Sequence, residues 1–165
     1  MNDDQITIKK VMVTIIWGVY GFSVIDFLQC DESYNSQYHI DNILIPLAEI
    51  KSEIWKQSDK RKIWLHLDNS MLYNSIMSMK KYDELGFKRP PHPAYSPDVA
   101  PSDFYLFGYL EQKLQGKQFN DIEGLEEELH EILGTISNDQ RKAVFESWIK
   151  RCDWVAANNG EYYHK

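Results

Sequence analysis

The sequence predicts one α/β domain. Three observations carry this: β-branched runs open the chain, a short apolar strand-like stretch returns in the middle, and long segments of helical periodicity close it. At 165 residues the chain has the length of a single domain and enough material to bury a core. Hydrophobic residues make up 43% and aromatics 13%, a composition that excludes intrinsic disorder. No apolar run approaches the ~20 residues of a membrane span, so no membrane partner is expected. The acidic start, Met1-Asn2-Asp3-Asp4-Gln5, is unlike a signal peptide. Residues 1–10 read as an N-terminal extension and residues 11–165 as the domain.

The elements follow in order. Val11-Met12-Val13-Thr14-Ile15-Ile16-Trp17 is a continuous β-branched run, the pattern of a buried strand. Gly18 and Gly21 break it, and residues 22–28 form a second strand paired by a hairpin across Val19-Tyr20. Asn35 or Ser36 caps a helix carrying Tyr38, Ile43, Leu44, Leu47 and Ile50, with a kink expected at Pro46. Ile63-Trp64-Leu65-His66-Leu67 reads as a third strand ending at Asp68-Asn69, with helix following to Gly86. Five of the six prolines lie between Pro90 and Pro101, which makes that stretch a stiff connector. Residues 102–115 are helical, Asn120 with Glu123 opens the next helix as a capping box, and the last helix runs from Asn138 to a stop at Asn158-Asn159-Gly160. The last helix is expected to bury Val144, Phe145, Trp148, Ile149, Cys152 and Val155. Met71, Met77 and Met79 read as core fillers. Cys30 and Cys152 read as buried free thiols of a reducing compartment.

Charge is uneven. The net charge is −7, which argues against a generic basic nucleic-acid arm. Yet residues 51–90 hold nine Lys and Arg against five acids, a local excess of four positive charges. Lys60, Arg61, Lys88 and Arg89 belong to this stretch and are candidate DNA contacts on a phosphate-facing rim.

Few residues carry chemistry. Asp68 stands at the end of an apolar strand, where α/β sheets place ligands. Asp103 falls in the first turn of a helix, a position that dipole complementation alone explains, and Ser102 is a candidate cap. Asp98 fits a plain β-turn, and His66 reads as structural. No H-E-x-x-H, Cys/His cluster, Ser-His-Asp set or Gly-rich phosphate loop is present in the sequence.

Taken together the two aspartates acquire a meaning. Thirty-four residues separate Asp68 from Asp103. The segment between them ends in His92-Pro93-Ala94-Tyr95-Ser96-Pro97-Asp98-Val99-Ala100-Pro101-Ser102-Asp103-Phe104, continued by Leu106-Phe107-Gly108. This run, the spacing, and His66-x-Asp68-Asn69 resemble the signature of mariner-type DNA transposases of the Tc1/mariner superfamily. The resemblance extends over residues 9–163. It implies a ribonuclease-H-like fold, a central mixed sheet flanked by helices. It also implies three acidic residues holding two divalent ions, Mg²⁺ or Mn²⁺, for cleavage and strand transfer of DNA phosphodiesters. Carried over residue by residue, Asp68 matches the second metal-binding aspartate and Asp103 the third, side by side at one sheet end. DNA is the implied partner, a homodimer the assembly the resemblance admits, and the nucleus the implied place of action.

The chain departs from the family in three places. The first aspartate is expected directly after the aromatic residue that closes the first strand, but here Gly18 follows Trp17. Gly18 has no side chain, and Asp26 on the next strand is a poor substitute. After Asp68-Asn69 the family's polar turn is replaced by Ser70-Met71-Leu72-Tyr73. Met1–Lys10 is too short to hold the two helix-turn-helix units with which the family recognises transposon ends, so weak and non-specific DNA binding is expected. Two readings compete: a domain that retains metal-dependent cleavage, and an inactive remnant that binds DNA or a protein partner. Gly18 favours impaired catalysis.

Overall fold

The computed structural model describes residues 11–29, 31–54 and 63–164, which pack as two compact units. One gathers Val13–Ile16 with Ser23–Tyr95; the other gathers Trp17–Phe22 with the chain from Ser96 onward. The N-terminal extension, Cys30, Lys60 and Arg61 lie outside the described residues.

In the first unit, strands β1 (Val13–Gly18) and β2 (Gly21–Phe27) pair as the expected hairpin, whose tip belongs to the second unit. Helix α1 (Ser36–His39) is capped by Asn35, whose side chain accepts the Tyr38 N–H. The helix then widens into a π turn, Ile40–Leu44, before continuing as α2 (Ile45–Ile54). Pro46 supplies the reason. Its ring would strike the carbonyl four residues back, and it has no N–H to give. The ladder therefore shifts, and the Ile45 N–H reaches back five residues to the Ile40 carbonyl. The expected kink is thus a π turn.

The third strand is shorter than its sequence suggests. β3 (Ile63–Trp64) pairs in parallel with β4 (Phe87–Lys88), Ile63 opposite Phe87 and Trp64 opposite Lys88. One further bond, from the Leu65 N–H to the Lys88 carbonyl at 2.7 Å, closes the ladder. Pro90 and Pro91 follow and have no N–H with which to extend it. Between β3 and β4 lies a turn over residues 71–74, then α3 (Ile76–Leu85), capped by Ser75 and ended by Gly86 at φ 73°. Among the described residues the strands thus form two two-stranded pieces, β1–β2 and β3–β4, within a mixed α/β arrangement.

The core of this unit joins Ile40, Ile43, Leu44 and Leu47 to Val24, Leu65, Tyr82 and Phe87. α3 buries Ser78 and Tyr82, one turn apart, so its other positions look elsewhere. Met77 and Met79 are accordingly 51% and 43% exposed, Met71 in the preceding turn is 90% exposed, and the three are not core fillers.

The second unit is helical beyond the hairpin tip. A 3₁₀ turn (Pro97–Val99) and a π turn (Ser102–Leu106) lead into α4 (Phe107–Leu114), followed by α5 (Ile122–Gly134) and α6 (Asn138–Ala157). Leu106, Leu110, Leu129, Ile132, Leu133, Ile136 and Val144 are buried. α5 begins one residue later than expected. Asp121, not Asn120, is the cap and accepts the Gly124 N–H, which moves Glu123 out of the reciprocal position. The full capping box is at α6, between Ser137 and Gln140. Cys152 and Ile149 of α6 are exposed, so the expectation of a buried Cys152 fails. A 20-residue helix that buries Val144 alone below the surface presents most of its length to solvent.

The first unit also buries a polar relay. His39, 1% exposed, sits between two tyrosines, with Nδ1 3.0 Å from the Tyr34 hydroxyl and Nε2 2.9 Å from that of Tyr82. A neutral imidazole satisfies both contacts, donating one bond and accepting the other. Burial, then Arg89, pushes the His39 pKa down to about 4. The folded value lies below the unfolded one, so the unfolded chain takes up the proton first as pH falls. Stability is therefore expected to be level above about pH 6.5 and to drop by on the order of 3 kcal/mol between there and pH 4 on account of this residue. His66, also pushed down to about 4, adds a slope of the same sign. Urea unfolding at pH 7.5 and pH 5 should show the loss, and His39→Gln should remove about half of it.

Candidate functional site

Asp68 and Asp103 fall in different units, and each has its own setting. Asp68 follows the carboxyl end of β3, in the βαβ unit formed by β3, α3 and β4. This is where parallel strands present ligand-binding groups. Its side chain is exposed, and Oδ1 accepts the Ser70 N–H at 2.8 Å, an Asx turn that fixes the carboxylate. The next residue, Asn69, donates from Nδ2 to the His92 carbonyl at 2.8 Å. His92 Nδ1 lies 3.0 Å from His66 Nε2, their rings edge to face. His66 is structural as expected, but its partner is another histidine, at the start of the proline-rich connector. Burial, then His92 and Arg89, holds His66 neutral at ordinary pH.

Arg89, a candidate DNA contact in the sequence, is engaged within the protein. Its guanidinium is turned inward on the Asp68 turn, with Nη1 2.9 Å from both the Tyr73 carbonyl and Asn74 Oδ1 and Nη2 3.3 Å from the Asp68 carbonyl. Lys88 is exposed on β4 and remains available to a phosphate. Asp26 is not a spare ligand for this site: Oδ2 accepts the Tyr38 hydroxyl at 2.9 Å, and burial raises its pKa.

Asp103 lies in the π turn that opens α4, exposed, with its N–H bonded to the Ala100 carbonyl at 2.9 Å. Ser102 is not a cap. Its hydroxyl accepts the indole N–H of Trp17 at 3.1 Å, while Trp17 stacks on Tyr105 at 6.2 Å and packs against Phe145 at 5.0 Å. Trp17 and Ser102 thus tie the tip of the hairpin to the start of α4, one residue before Gly18 and one before Asp103. The backbone of Gly18 is not left-handed, and a Cβ built there meets nothing within 4 Å. The space for a side chain exists; the carboxylate does not.

The donor set does not fit a pair of divalent ions. Two of the three expected carboxylates remain, and among the described residues no group of three or more His, Cys, Asp or Glu converges on one point. Two carboxylates leave half of the charge on two such ions uncompensated.

Asp98 was underestimated by its turn-like sequence. It is buried, Oδ2 accepts the Tyr163 N–H at 2.8 Å, and its carbonyl accepts Arg151 Nη1 at 3.0 Å. The Arg151 guanidinium lies 4.0 Å from the Phe104 ring centre and 4.6 Å from that of Tyr163. The C-terminal segment is therefore clasped onto the residues that lead into Asp103. Only the Ser-Pro-Asp turn was visible in the sequence; partners 53 and 65 residues away leave no local signal. Arg151→Ala should cost about 2 kcal/mol in denaturant unfolding, from one charged hydrogen bond and its ring contacts. Arg151→Lys should recover less than half of this, because an ammonium cannot fill a planar slot between two rings.

No protein-family model matches the chain. It is 32% identical over 158 residues to human histone-lysine N-methyltransferase SETMAR, an alignment covering 94% of this chain and 23% of that protein. It is 27% identical over 157 residues to the Mariner Mos1 transposase of Drosophila mauritiana, covering 93% of this chain and 45% of that one. The chain thus spans about a quarter and under a half of these relatives. In structure it superposes on the Mos1 transposase catalytic domain with raltegravir and Mn at a TM-score of 0.87, with 23% identity, over 96% of this chain and 80% of that one. A Mos1 paired-end complex with the left transposon end gives 0.84 and 24% identity over 94% of this chain and 45% of that one. The fold is the ribonuclease-H-like α/β fold that the sequence leads one to expect.

Proposed function

We propose, from the homology of this chain to the Mos1 mariner transposase catalytic domain and to SETMAR, that it is a transposase-derived domain that engages DNA while its strand-cleaving chemistry is impaired. The observation that carries the reading is Gly18, set beside the Asp103 turn by the Trp17–Ser102 bond and offering open space in place of a carboxylate. The Mos1 structures with Mn, Mg and transposon ends support DNA as the partner and divalent ions as the ancestral cofactor. Asp68 and Asp103 are the retained site residues on this reading, and Lys88 is a phosphate contact. Lys60 and Arg61 stay candidates for the same role. The nucleus follows as the place of action, because that is where a DNA-transposon enzyme meets its substrate, and a homodimer remains an open arrangement for the domain.

Loss of one of three metal-holding carboxylates is expected to cost at least about 3 kcal/mol of transition-state stabilisation, a hundredfold or more in rate. The test is nicking of supercoiled DNA with Mg²⁺ or Mn²⁺. The chain itself should give no product above background, and Gly18→Asp should give measurable nicking that Asp68→Ala or Asp103→Ala abolishes. Nicking by the unaltered chain that disappears with Asp68→Ala would overturn the impairment. Failure of the chain to retard duplex DNA at low salt would overturn the DNA partner.

A further inference from the structure

The first unit contains one arginine whose contacts converge on the turn that presents Asp68. The chain leaves β3 at Trp64 and β4 at Lys88, in parallel and in register, so the residues after each strand run side by side. Arg89 is the first residue beyond that register. Its Nη1 reaches the Tyr73 carbonyl and Asn74 Oδ1, both at 2.9 Å, and lies 3.5 Å from Met79 Sδ. Nη2 reaches the Asp68 carbonyl at 3.3 Å, and the guanidinium stands 5.2 Å from the centre of the Tyr82 ring. Asn74 relays the hold, donating from Nδ2 to the Asn69 carbonyl at 3.1 Å and the Ser70 carbonyl at 3.3 Å. One planar fork therefore spans the start and the end of the turn over residues 68–74, with the buried Tyr82 beneath it.

We infer that Arg89 is a positioning residue for Asp68. It acts from within the protein and holds the Asx turn, and with it the carboxylate, in a fixed place, instead of contacting DNA. The importance of this for function rests on the proposed reading of Asp68 as a retained site carboxylate; the positioning itself does not. A fork is needed because the acceptors diverge: one ammonium cannot reach the carbonyls of residues 68 and 73 while lying over a ring. The surroundings agree. The turn has other holds at its middle, where the Leu72 carbonyl accepts the Ser36 and Ser78 hydroxyls at 3.1 and 2.7 Å, while Met71 is 90% exposed; Arg89 is the side chain that joins its two ends.

The experiment is amide hydrogen exchange on the full chain as it stands, as Arg89→Lys and as Arg89→Met, with duplex binding followed in parallel. Arg89→Met should speed exchange at the Ser70, Tyr73 and Asn74 amides about tenfold, because these bond to Asp68 Oδ1 and the Ser70 carbonyl within the turn. Amides of α2 and α6 should keep their protection, and duplex affinity should fall less than twofold. Arg89→Lys should restore little of the turn's protection. Unchanged exchange over residues 70–74, or a rise spread equally over α2 and α6, would overturn the inference, as would a large salt-dependent loss of duplex affinity with exchange unaltered. A second readout separates this from the functional reading. In Gly18→Asp, Mn²⁺ broadening of resonances near Asp68 should weaken when Arg89→Met is added. Absence of any Mn²⁺ effect in Gly18→Asp itself would count against Asp68 as a site residue while leaving the exchange result to decide the role of Arg89.

Discussion

The proline-rich connector imposes the constraint around which the rest is organised. Between Pro90 and Pro101, five of the twelve residues have no backbone N–H, so the segment forms no strand and only the short 3₁₀ turn at Pro97–Val99. It is held by side chains and chain ends instead. At its start, His92 is fixed by His66 and by the Asn69 amide. Near its finish, Asp98 is fixed by Arg151 and by the Tyr163 N–H. Both aspartates of the candidate site are neighbours of these anchors. Asp68 is next to the residue that grips His92, and Asp103 is one residue before the ring under Arg151.

The same logic explains the π turns. Each lies beside a proline, Pro46 just after the first and Pro101 at the head of the second, and in each the ladder widens by one residue. Widening satisfies the backbone without breaking the helix. In the first unit it keeps Ile40, Ile43, Leu44 and Leu47 on one buried face. In the second it places Asp103 in the loosened opening turn of α4 with Leu106 fully buried behind it. Charge and geometry at the site are thus consequences of backbone accounting.

The packing around Gly18 does not call on a side chain at that position. Trp17 donates to Ser102, stacks on Tyr105 and packs against Phe145, so the residue before Gly18 is held by side chains rather than by Gly18 itself. A Cβ built at Gly18 meets nothing within 4 Å, so the glycine fills no gap that a larger residue would be denied. The fold does not depend on Gly18 bearing a side chain.

The sequence by itself determined the α/β class, the hairpin, the cap of the first helix, the start of the last helix, and the spacing of Asp68, Asp103 and the glycine that follows Trp17. These are carried by local chemistry: β-branched runs, caps, prolines, and a motif of fixed spacing. The tertiary structure decided what lies far apart in the chain. β4 is two residues long and shows no periodicity, so it exists only as a partner for β3. Met77 and Met79 look like core and are exposed, because Ser78 and Tyr82 fix which side of α3 is buried, and Met71 is exposed in the turn before that helix. Asp98 looks like a turn and anchors the C-terminal segment, and Arg89 looks like a phosphate contact and grips the Asp68 turn. A residue's type limits the bonds it can make, but which acceptors a charged fork or a buried carboxylate meets is set by chain segments that local sequence does not specify.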